Sequence, residues 1–180
     1  MKLISDDYLV QQQTLHRERD DYGVASLQYG QLVSEILMTH GFSTFVDYGC
    51  GKGRLAHGLR IPSDYPHVVT GQLYDPAVPR FAKLPEPAEL VVCIDVLEHV
   101  ERGNLDAVLD HIRELAKRLV FLTIHCGPAA KTLPDGRNAH VTQLPVRTWL
   151  TEYLLPRFDL IEASTEGATF MFIGVPYEHQ

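Results

Sequence analysis

Short apolar runs alternate with amphipathic stretches along the chain. The run at 88–94 is mainly apolar and rich in β-branched residues, which is typical of a central parallel strand buried on both faces. At 105–115, apolar residues recur at helical spacing, and Lys117 and Arg118 follow where cations suit the end of a helix. This alternation predicts an α/β fold with a mostly parallel sheet.

The same patterns predict the other elements and the organisation of the chain. Predicted strands cover 44–48, 68–74, 88–94 and 119–124, with an antiparallel pair at 159–164 and 169–175, and predicted helices cover 26–40, 54–59, 105–115 and 145–155. Residues 1–40 are interpreted as a polar N-terminal arm and a helix, and residues 41–180 as one globular domain. The polar loop at 127–144 is long enough to predict a functional role.

A glycine-rich turn follows the predicted strand at 44–48. It contains Asp47, Gly49, Gly51 and Gly53, and alternate glycines permit backbone conformations that side chains disfavour. A strand that turns on glycines into a helix presents free N–H groups and the positive end of a helix dipole to a ligand. The G-x-G-x-G spacing differs from that of dinucleotide-binding folds, and Asp47 can face a cationic ligand. The combination indicates S-adenosylmethionine rather than NAD.

Composition narrows the class of protein. The 180 residues fit one domain, and the formal net charge of -7 argues against a broad nucleic-acid-binding face. Cys50, Cys93 and Cys126 have no paired spacing, and Cys93 and Cys126, which lie in apolar runs, are interpreted as buried small hydrophobes, which fits a reducing compartment. The N-terminus is too acidic for a signal peptide, and no stretch approaches the roughly 20 apolar residues that span a bilayer. We therefore expect a cytoplasmic protein with no membrane partner.

Three motifs in register resemble those of class I S-adenosylmethionine-dependent methyltransferases. They lie at 47–53, 73–76 and 90–100 within a region of similarity at 40–177. The string D-V-L-E-H-V, which begins at Asp95, is similar to the E-V-L-E-H-V signature of the ubiquinone-biosynthesis type of O-methyltransferase, with aspartate replacing the usual first glutamate.

The resemblance implies a Rossmann-like fold, with a sheet of the seven-stranded type and an antiparallel C-terminal hairpin. The proline-rich stretch at 76–87 is too short for the helix and third strand that typical members have there. The helix at 26–40 would cover the cofactor. In that region, Tyr22 and Tyr29 either close over the cofactor or only pack the helix on the sheet.

The predicted cofactor is S-adenosylmethionine. Asp75 follows Gly53 by about 20 residues, the interval between a glycine turn and a ribose-binding acid in a βαβ unit; the alternative for Asp75 is a turn residue before Pro76. The predicted cofactor contacts are Asp47, Tyr48, Gly49, Cys50, Gly51, Gly53, Asp75, Asp95, Val96 and Tyr29.

Methyl transfer requires an aligned acceptor and, where the acceptor carries a proton, a base that removes it. The catalytic candidates are His140, Asp95 and His125. In the ubiquinone type, a histidine follows the fifth strand shortly before a helix. His140 matches that layout, so the resemblance implies that it is the base. Its alternative is a loop histidine that bonds the backbone.

A metal site is the alternative interpretation of the residues around Asp95 and His140. Asp95, Glu98, His99 and His140 resemble the divalent-metal set of small-RNA 3′-terminal 2′-O-methyltransferases. Two carboxylates and two imidazoles can hold Mg²⁺ or Mn²⁺ against a ribose diol. The same Glu-His pair occurs without metal in the ubiquinone type, so we predict no metal and keep these four residues as the alternative.

The leading hypothesis is a methyltransferase acting, at oxygen, on a small molecule or on a sugar or nucleotide. Action on nucleic acid is disfavoured: the segment 94–97 lacks the N/D-P-P-Y/F motif of base-amino methylation, although ribose methylation of RNA stays open. The third hypothesis is a non-catalytic methyltransferase-like binding module. Such a module is expected to lack the glycine turn or the ribose acid, and both are present.

Overall fold

The computed structural model describes residues 2–177, which form a six-stranded sheet with helices on both faces. The strands are β1 Thr44–Tyr48, β2 Thr70–Tyr74, β3 Ala88–Ile94, β4 Ala116–His125, β5 Phe158–Glu166 and β6 Thr169–Pro176. Their order across the sheet is β2-β1-β3-β4-β6-β5. The pairs among β1 to β4 are parallel, and β6 pairs antiparallel with both β4 and β5. The predicted α/β architecture with an antiparallel C-terminal hairpin is confirmed.

The described part of the chain has five α-helices, of which the first two precede β1. They are α1 Asp6–Glu18, α2 Gly30–His40, α3 Leu55–Gly58, α4 Leu105–Leu115 and α5 Val146–Thr148, the last continuing as a π-helical segment, Trp149–Leu154. Short 3-10 turns lie at Ala25–Tyr29, Pro79–Phe81, Leu97–His99 and Arg102–Asn104. At the end of α2, Gly41 adopts the predicted left-handed cap with φ 66°. Within residues 2–177, every helix is too short or too polar to cross a bilayer.

One predicted boundary is confirmed and another is not. The short stretch at 76–87 holds only the 3-10 turn Pro79–Phe81, so β2 leads to β3 without an intervening strand, as its length predicts. The start of β4 differs: it lies at Ala116 instead of the predicted residue 119. Helix α4 ends at Leu115, and Lys117 lies within β4 rather than after a helix. The reason is long-range: Ala116 already pairs with Ala88 of β3, which starts the strand early.

The core lies on both faces of β3, because side chains alternate along a strand. Val91 and Cys93 belong to an apolar cluster with α4 and α5, whereas Leu90 and Val92 belong to a second cluster with α2 and α3. All four side chains are fully buried. Burial on both faces is what the apolar run at 88–94 predicts, and it fixes the carboxyl end of β3 in the middle of the sheet.

Helices α2 and α3 approach each other so closely that only glycine fits at their contact. A Cβ added to Gly30 would overlap the backbone of Gly58. We expect Gly30→Ala to lower the free energy of unfolding by about 2–3 kcal/mol, because the clash is with backbone that must shift. Urea denaturation measures this. Gly103→Ala is the control, since a Cβ there meets nothing within 4 Å. Equal stability of the two variants would contradict the close contact.

Candidate active site

A cavity lies where the topology of the sheet reverses. The chain leaves β1 toward β2 on one side and β3 toward β4 on the other, and ligands in open α/β sheets bind outside the carboxyl ends of strands at such a point. A cavity of about 440 Å³ occupies this crevice. Its walls come from the loops after β1, β2 and β3, from the segment 125–140 and from one face of α1.

The loop after β1 has the backbone conformation that its alternate glycines predict. Gly49, Gly51 and Gly53 have φ values of 73°, 52° and 69°, a region that residues with a Cβ rarely adopt. The N–H groups of Gly49 and Cys50 donate to the carbonyl oxygen of Tyr74 at 2.7 and 3.0 Å. These bonds tie the loop to the end of β2, so the glycine turn and the predicted ribose acid lie side by side.

The Asp75 carboxylate is held by backbone. Its Oδ2 accepts from the N–H of Gly51 at 2.9 Å, and its Oδ1 accepts from the N–H of Ala77 at 2.9 Å. Burial raises the pKa of Asp75, and these hydrogen bonds oppose the rise by favouring the charged form. Each carboxylate oxygen keeps a lone pair, and Asp75 lines the cavity. A ligand with neighbouring hydroxyl groups suits this arrangement.

The predicted cofactor residues fall into two groups. Six of them line the cavity: Tyr48, Gly49, Gly51, Asp75, Asp95 and Val96. The other four lie outside its wall: Asp47, Cys50, Gly53 and Tyr29. Tyr29 packs its ring edge-on against Phe121, with 5.9 Å between centroids, whereas Tyr22 lines the cavity.

Asp95, at the end of β3, has a strained backbone. Its φ of 58° is the one positive value at a non-glycine residue among residues 2–177. The Asp95 N–H donates to the backbone oxygen and to the hydroxyl of Thr123, both at 3.1 Å. Such strain costs on the order of 1–3 kcal/mol and occurs mainly at functional sites.

Three histidines meet at one part of the cavity wall. The ring centroid of His140 lies 4.7 Å from that of His99 and 5.0 Å from that of His125. Burial, with His140 beside it, lowers the pKa of His99 to about 4. Burial also lowers the pKa of His140, whose Nδ1–H donates to the Gly127 carbonyl at 2.7 Å. His140 is therefore neutral at pH 7, and its Nε2 is the nitrogen that can accept a proton.

Three of the four alternative metal residues converge. Asp95, Glu98 and His140 offer ligand atoms that all lie within 4.8 Å of one another. Glu98 is fully buried; one of its oxygens accepts from the His125 N–H, and the other has no partner. Burial and the nearby Asp95 raise the pKa of Glu98. His99 is not part of this group, and its Nδ1–H donates to Ala139 at 2.8 Å.

Helix α1 contributes cavity residues that the motifs did not identify. Tyr8, Gln12 and His16 lie four residues apart, on one face of the helix, and all three line the cavity. The Tyr22 hydroxyl donates to Gln12 at 2.7 Å, Gln12 donates to the Tyr8 hydroxyl at 2.6 Å, and Tyr8 donates to the carbonyl of His99 at 2.7 Å. The spacing of these three side chains in an otherwise polar helix was the available sequence signal.

Asp47 lies beneath the glycine loop with an unpartnered oxygen. It is 1% exposed, and its Oδ2 makes no hydrogen bond. Burial, with Asp75 adding to it, raises the pKa of Asp47 to about 7. In the unfolded chain the carboxyl ionises near its usual value of about 3.9. Between these values the folded state binds the extra proton, so the free energy of unfolding falls as the pH rises.

We expect wild type to lose about 2 kcal/mol relative to Asp47→Asn between pH 5.5 and 8, because the amide has no charge to bury. Urea denaturation of both proteins at the two pH values measures the difference. Glu162→Gln, an exposed carboxylate, serves as the control. If the gap between wild type and Asp47→Asn is the same at both pH values, the raised pKa is wrong.

Solved structures with this fold include several methyltransferases. An O-methyltransferase family protein from Burkholderia thailandensis has a TM-score of 0.63 at 14% identity, covering 94% of this chain and 64% of that one. The chain thus spans less than two thirds of that protein. The 1,6-didemethyltoxoflavin-N1-methyltransferase from the same organism is bound to 1,6-didemethyltoxoflavin and S-adenosylhomocysteine. Its TM-score is 0.62 at 15% identity, covering 99% of this chain and 93% of that one.

A third structure is magnesium protoporphyrin IX methyltransferase from Synechocystis PCC 6803 with bound S-adenosylhomocysteine. Its TM-score is 0.54 at 20% identity, covering 86% of this chain and 84% of that one. At these identities the similarity establishes the fold. None of the curated proteins matches the chain in sequence. The methyltransferase domain family matches residues 23–163, which is well over half of the chain. The chain therefore belongs to the methyltransferase domain family.

Proposed function

We propose that this protein is an S-adenosylmethionine-dependent methyltransferase, similar to the ubiquinone-biosynthesis type, that methylates an oxygen of a small molecule. The observation that carries the proposal is the Asp75 carboxylate. The N–H groups of Gly51 and Ala77 hold it at the cavity wall next to a glycine turn, and the neutral His140 lines the same cavity. This arrangement suits a nucleoside and a proton acceptor within one cavity.

The residues present fit the cofactor. Asp75 would hold the ribose hydroxyls, since its oxygens keep free lone pairs after accepting from the backbone. The backbone of Gly49 and Gly51, which line the cavity, would flank the methionine portion. When bound, S-adenosylmethionine supplies a methyl group that is already activated on a sulfonium.

The remaining task for the protein is to align the acceptor and remove its proton. His140 is the proposed base, because its Nδ1–H is fixed by the carbonyl of Gly127 and its neutral Nε2 can accept a proton. Asp95 and His125 also line the cavity and are proposed to orient the acceptor. The strained backbone of Asp95 supports a role in the site.

The charges of the cavity favour a small acceptor without negative charge. Among the described residues that line it, Lys131 is the one permanent cation, and its Nζ lies 3.1 Å from the carboxylate of Asp21. Carboxylates outnumber it: Asp21, Asp75, Asp95 and Glu101. A polyanion such as RNA would meet no free counter-charge there. Similar structures named for their action on didemethyltoxoflavin and magnesium protoporphyrin IX support a small-molecule acceptor.

A second function, metal-assisted methylation of a ribose 2′-hydroxyl, is favoured by one observation. Asp95, Glu98 and His140 place ligand atoms within 4.8 Å of one another. Glu98 contributes a buried oxygen with no partner, as a vacant ligand would. One observation argues against the metal-assisted function: burial raises the pKa of Glu98 and so favours its uncharged form, which is a poor metal ligand. A non-catalytic binding module would use the same cavity, but it would not need the histidine cluster.

Calorimetric titration with S-adenosylhomocysteine tests the proposed function. We expect binding to wild type and at least tenfold weaker binding to Asp75→Ala, a loss of about 1.4 kcal/mol or more, because the ribose loses its acceptor. Asp64→Ala, an exposed acid, is the control. Since Asp75 also holds the glycine loop, Asp75→Asn is measured too; it keeps one acceptor oxygen and should bind with intermediate affinity. No binding to folded wild type, or unchanged affinity in Asp75→Ala, would contradict the proposal.

Titration with Mn²⁺ alone distinguishes the two functions. We expect Mn²⁺ to bind wild type no more tightly than Glu98→Gln, because the raised pKa of the buried carboxyl opposes the proton loss that metal binding requires, and the amide has a similar shape. Glu114→Gln, exposed on α4, is the matched control. More than tenfold tighter Mn²⁺ binding by wild type than by Glu98→Gln would make the metal-assisted function the first choice.

A further inference from the structure

The side chain of His16 lies over the Asp75 carboxylate. The Nε2 of His16 is 3.8 Å from Oδ2 of Asp75, and both residues line the cavity. That separation is too long for a direct hydrogen bond. It is short enough that one oxygen atom can lie about 2.8 Å from both, within hydrogen-bonding distance of each. A hydroxyl group at that point can donate to Asp75 and accept from the Nε2–H of His16.

Among residues 2–177, the imidazole of His16 has no hydrogen-bond partner. Its Nδ1 is buried and unpartnered, and its Nε2 is the nitrogen that faces Asp75. Burial lowers the pKa of His16 although the charge of Asp75 opposes the change, so the ring is neutral at pH 7. A neutral ring does not form an ion pair with Asp75. A buried polar group left without partners beside a cavity points to a ligand.

The position of His16 is fixed by contacts at both ends of α1. At the start of the helix, the backbone N–H and hydroxyl of Ser5 donate to Glu101 at 2.9 and 2.7 Å. After the helix, the carbonyl of Gly23 accepts from the N–H of Lys52, in the glycine loop, at 3.0 Å. A Cβ at Gly23 would lie 2.7 Å from Cε1 of His16. These contacts together hold the imidazole of His16 beside the carboxylate of Asp75.

We propose that His16 is a ribose-binding residue: its Nε2 and the carboxylate of Asp75 bind the same hydroxyl of the cofactor's ribose, so that α1 completes the cofactor site. This inference rests on the proposed function, because it requires S-adenosylmethionine in the cavity. It assigns α1 a direct part in binding, in addition to covering the cavity.

The test compares ligands that differ by one hydroxyl. S-adenosylhomocysteine and its 2′-deoxy and 3′-deoxy forms are titrated calorimetrically into wild type, His16→Ala and His16→Gln. We expect His16→Ala to bind S-adenosylhomocysteine about tenfold more weakly, the effect of one hydrogen bond that involves a buried group. For one of the two deoxy forms, the affinity lost by removing the hydroxyl should be at least fivefold smaller in His16→Ala than in wild type.

The control and the conservative variant separate binding from structure. Arg17→Ala changes the next, exposed residue of α1 and should bind all three ligands as wild type does. His16→Gln keeps an N–H donor near the position of Nε2 and should recover part of the loss. If both deoxy penalties are the same in wild type and His16→Ala, the inference is overturned even where overall affinity falls. If wild type binds no S-adenosylhomocysteine, the proposed function fails and the inference fails with it.

Discussion

The buried carboxylate of Asp75 is the group on which the geometry of the site depends. Burying a carboxylate is costly, and the backbone N–H groups of Gly51 and Ala77 offset that cost by donating to it. The Gly51 bond is possible only because the loop adopts left-handed backbone angles. The same charge adds to the rise in the pKa of Asp47 and faces His16 on α1. One side chain therefore links the glycine loop, the end of β2 and the N-terminal helix.

The pattern of apolar residues was sufficient to predict where the strands that flank the cavity begin and end. Strands β1 and β3 have the predicted bounds, because their burial follows from a contiguous apolar run that needs no distant partner to be recognised. The start of β4, at Ala116 rather than at the predicted residue 119, was not predictable in this way. Lys117 suits a helix terminus, yet pairing of β4 with β3 begins one residue earlier, at Ala116. Local preference for a helix end is weaker than a hydrogen-bonded strand pair.

The candidate site shows the same difference between residues that local sequence predicts and residues that tertiary packing positions. Motif residues such as Gly49, Asp75 and Asp95 were predicted because spacing along the chain places them at the carboxyl ends of neighbouring strands, and they line the cavity. The face of α1 was not predicted, because its contacts join residues some 90 positions apart, as in the bond from Tyr8 to the carbonyl of His99. Nothing in the local sequence of a polar helix says which surface it covers. That choice is made by tertiary packing.

The protonation state of Glu98 bears on the chemistry that is available to the neighbouring histidines, His99, His125 and His140. Burial and the neighbouring Asp95 raise its pKa, which favours the uncharged form of the carboxyl. A divalent cation would have to displace that proton, and the energy required counts against metal affinity. Because the pKa of His99 is lowered to about 4, that neighbouring ring is neutral at pH 7 and does not oppose protonation of His140. Desolvation of Glu98 thus counts against a metal centre, even though the three ligand atoms are close enough together to hold one.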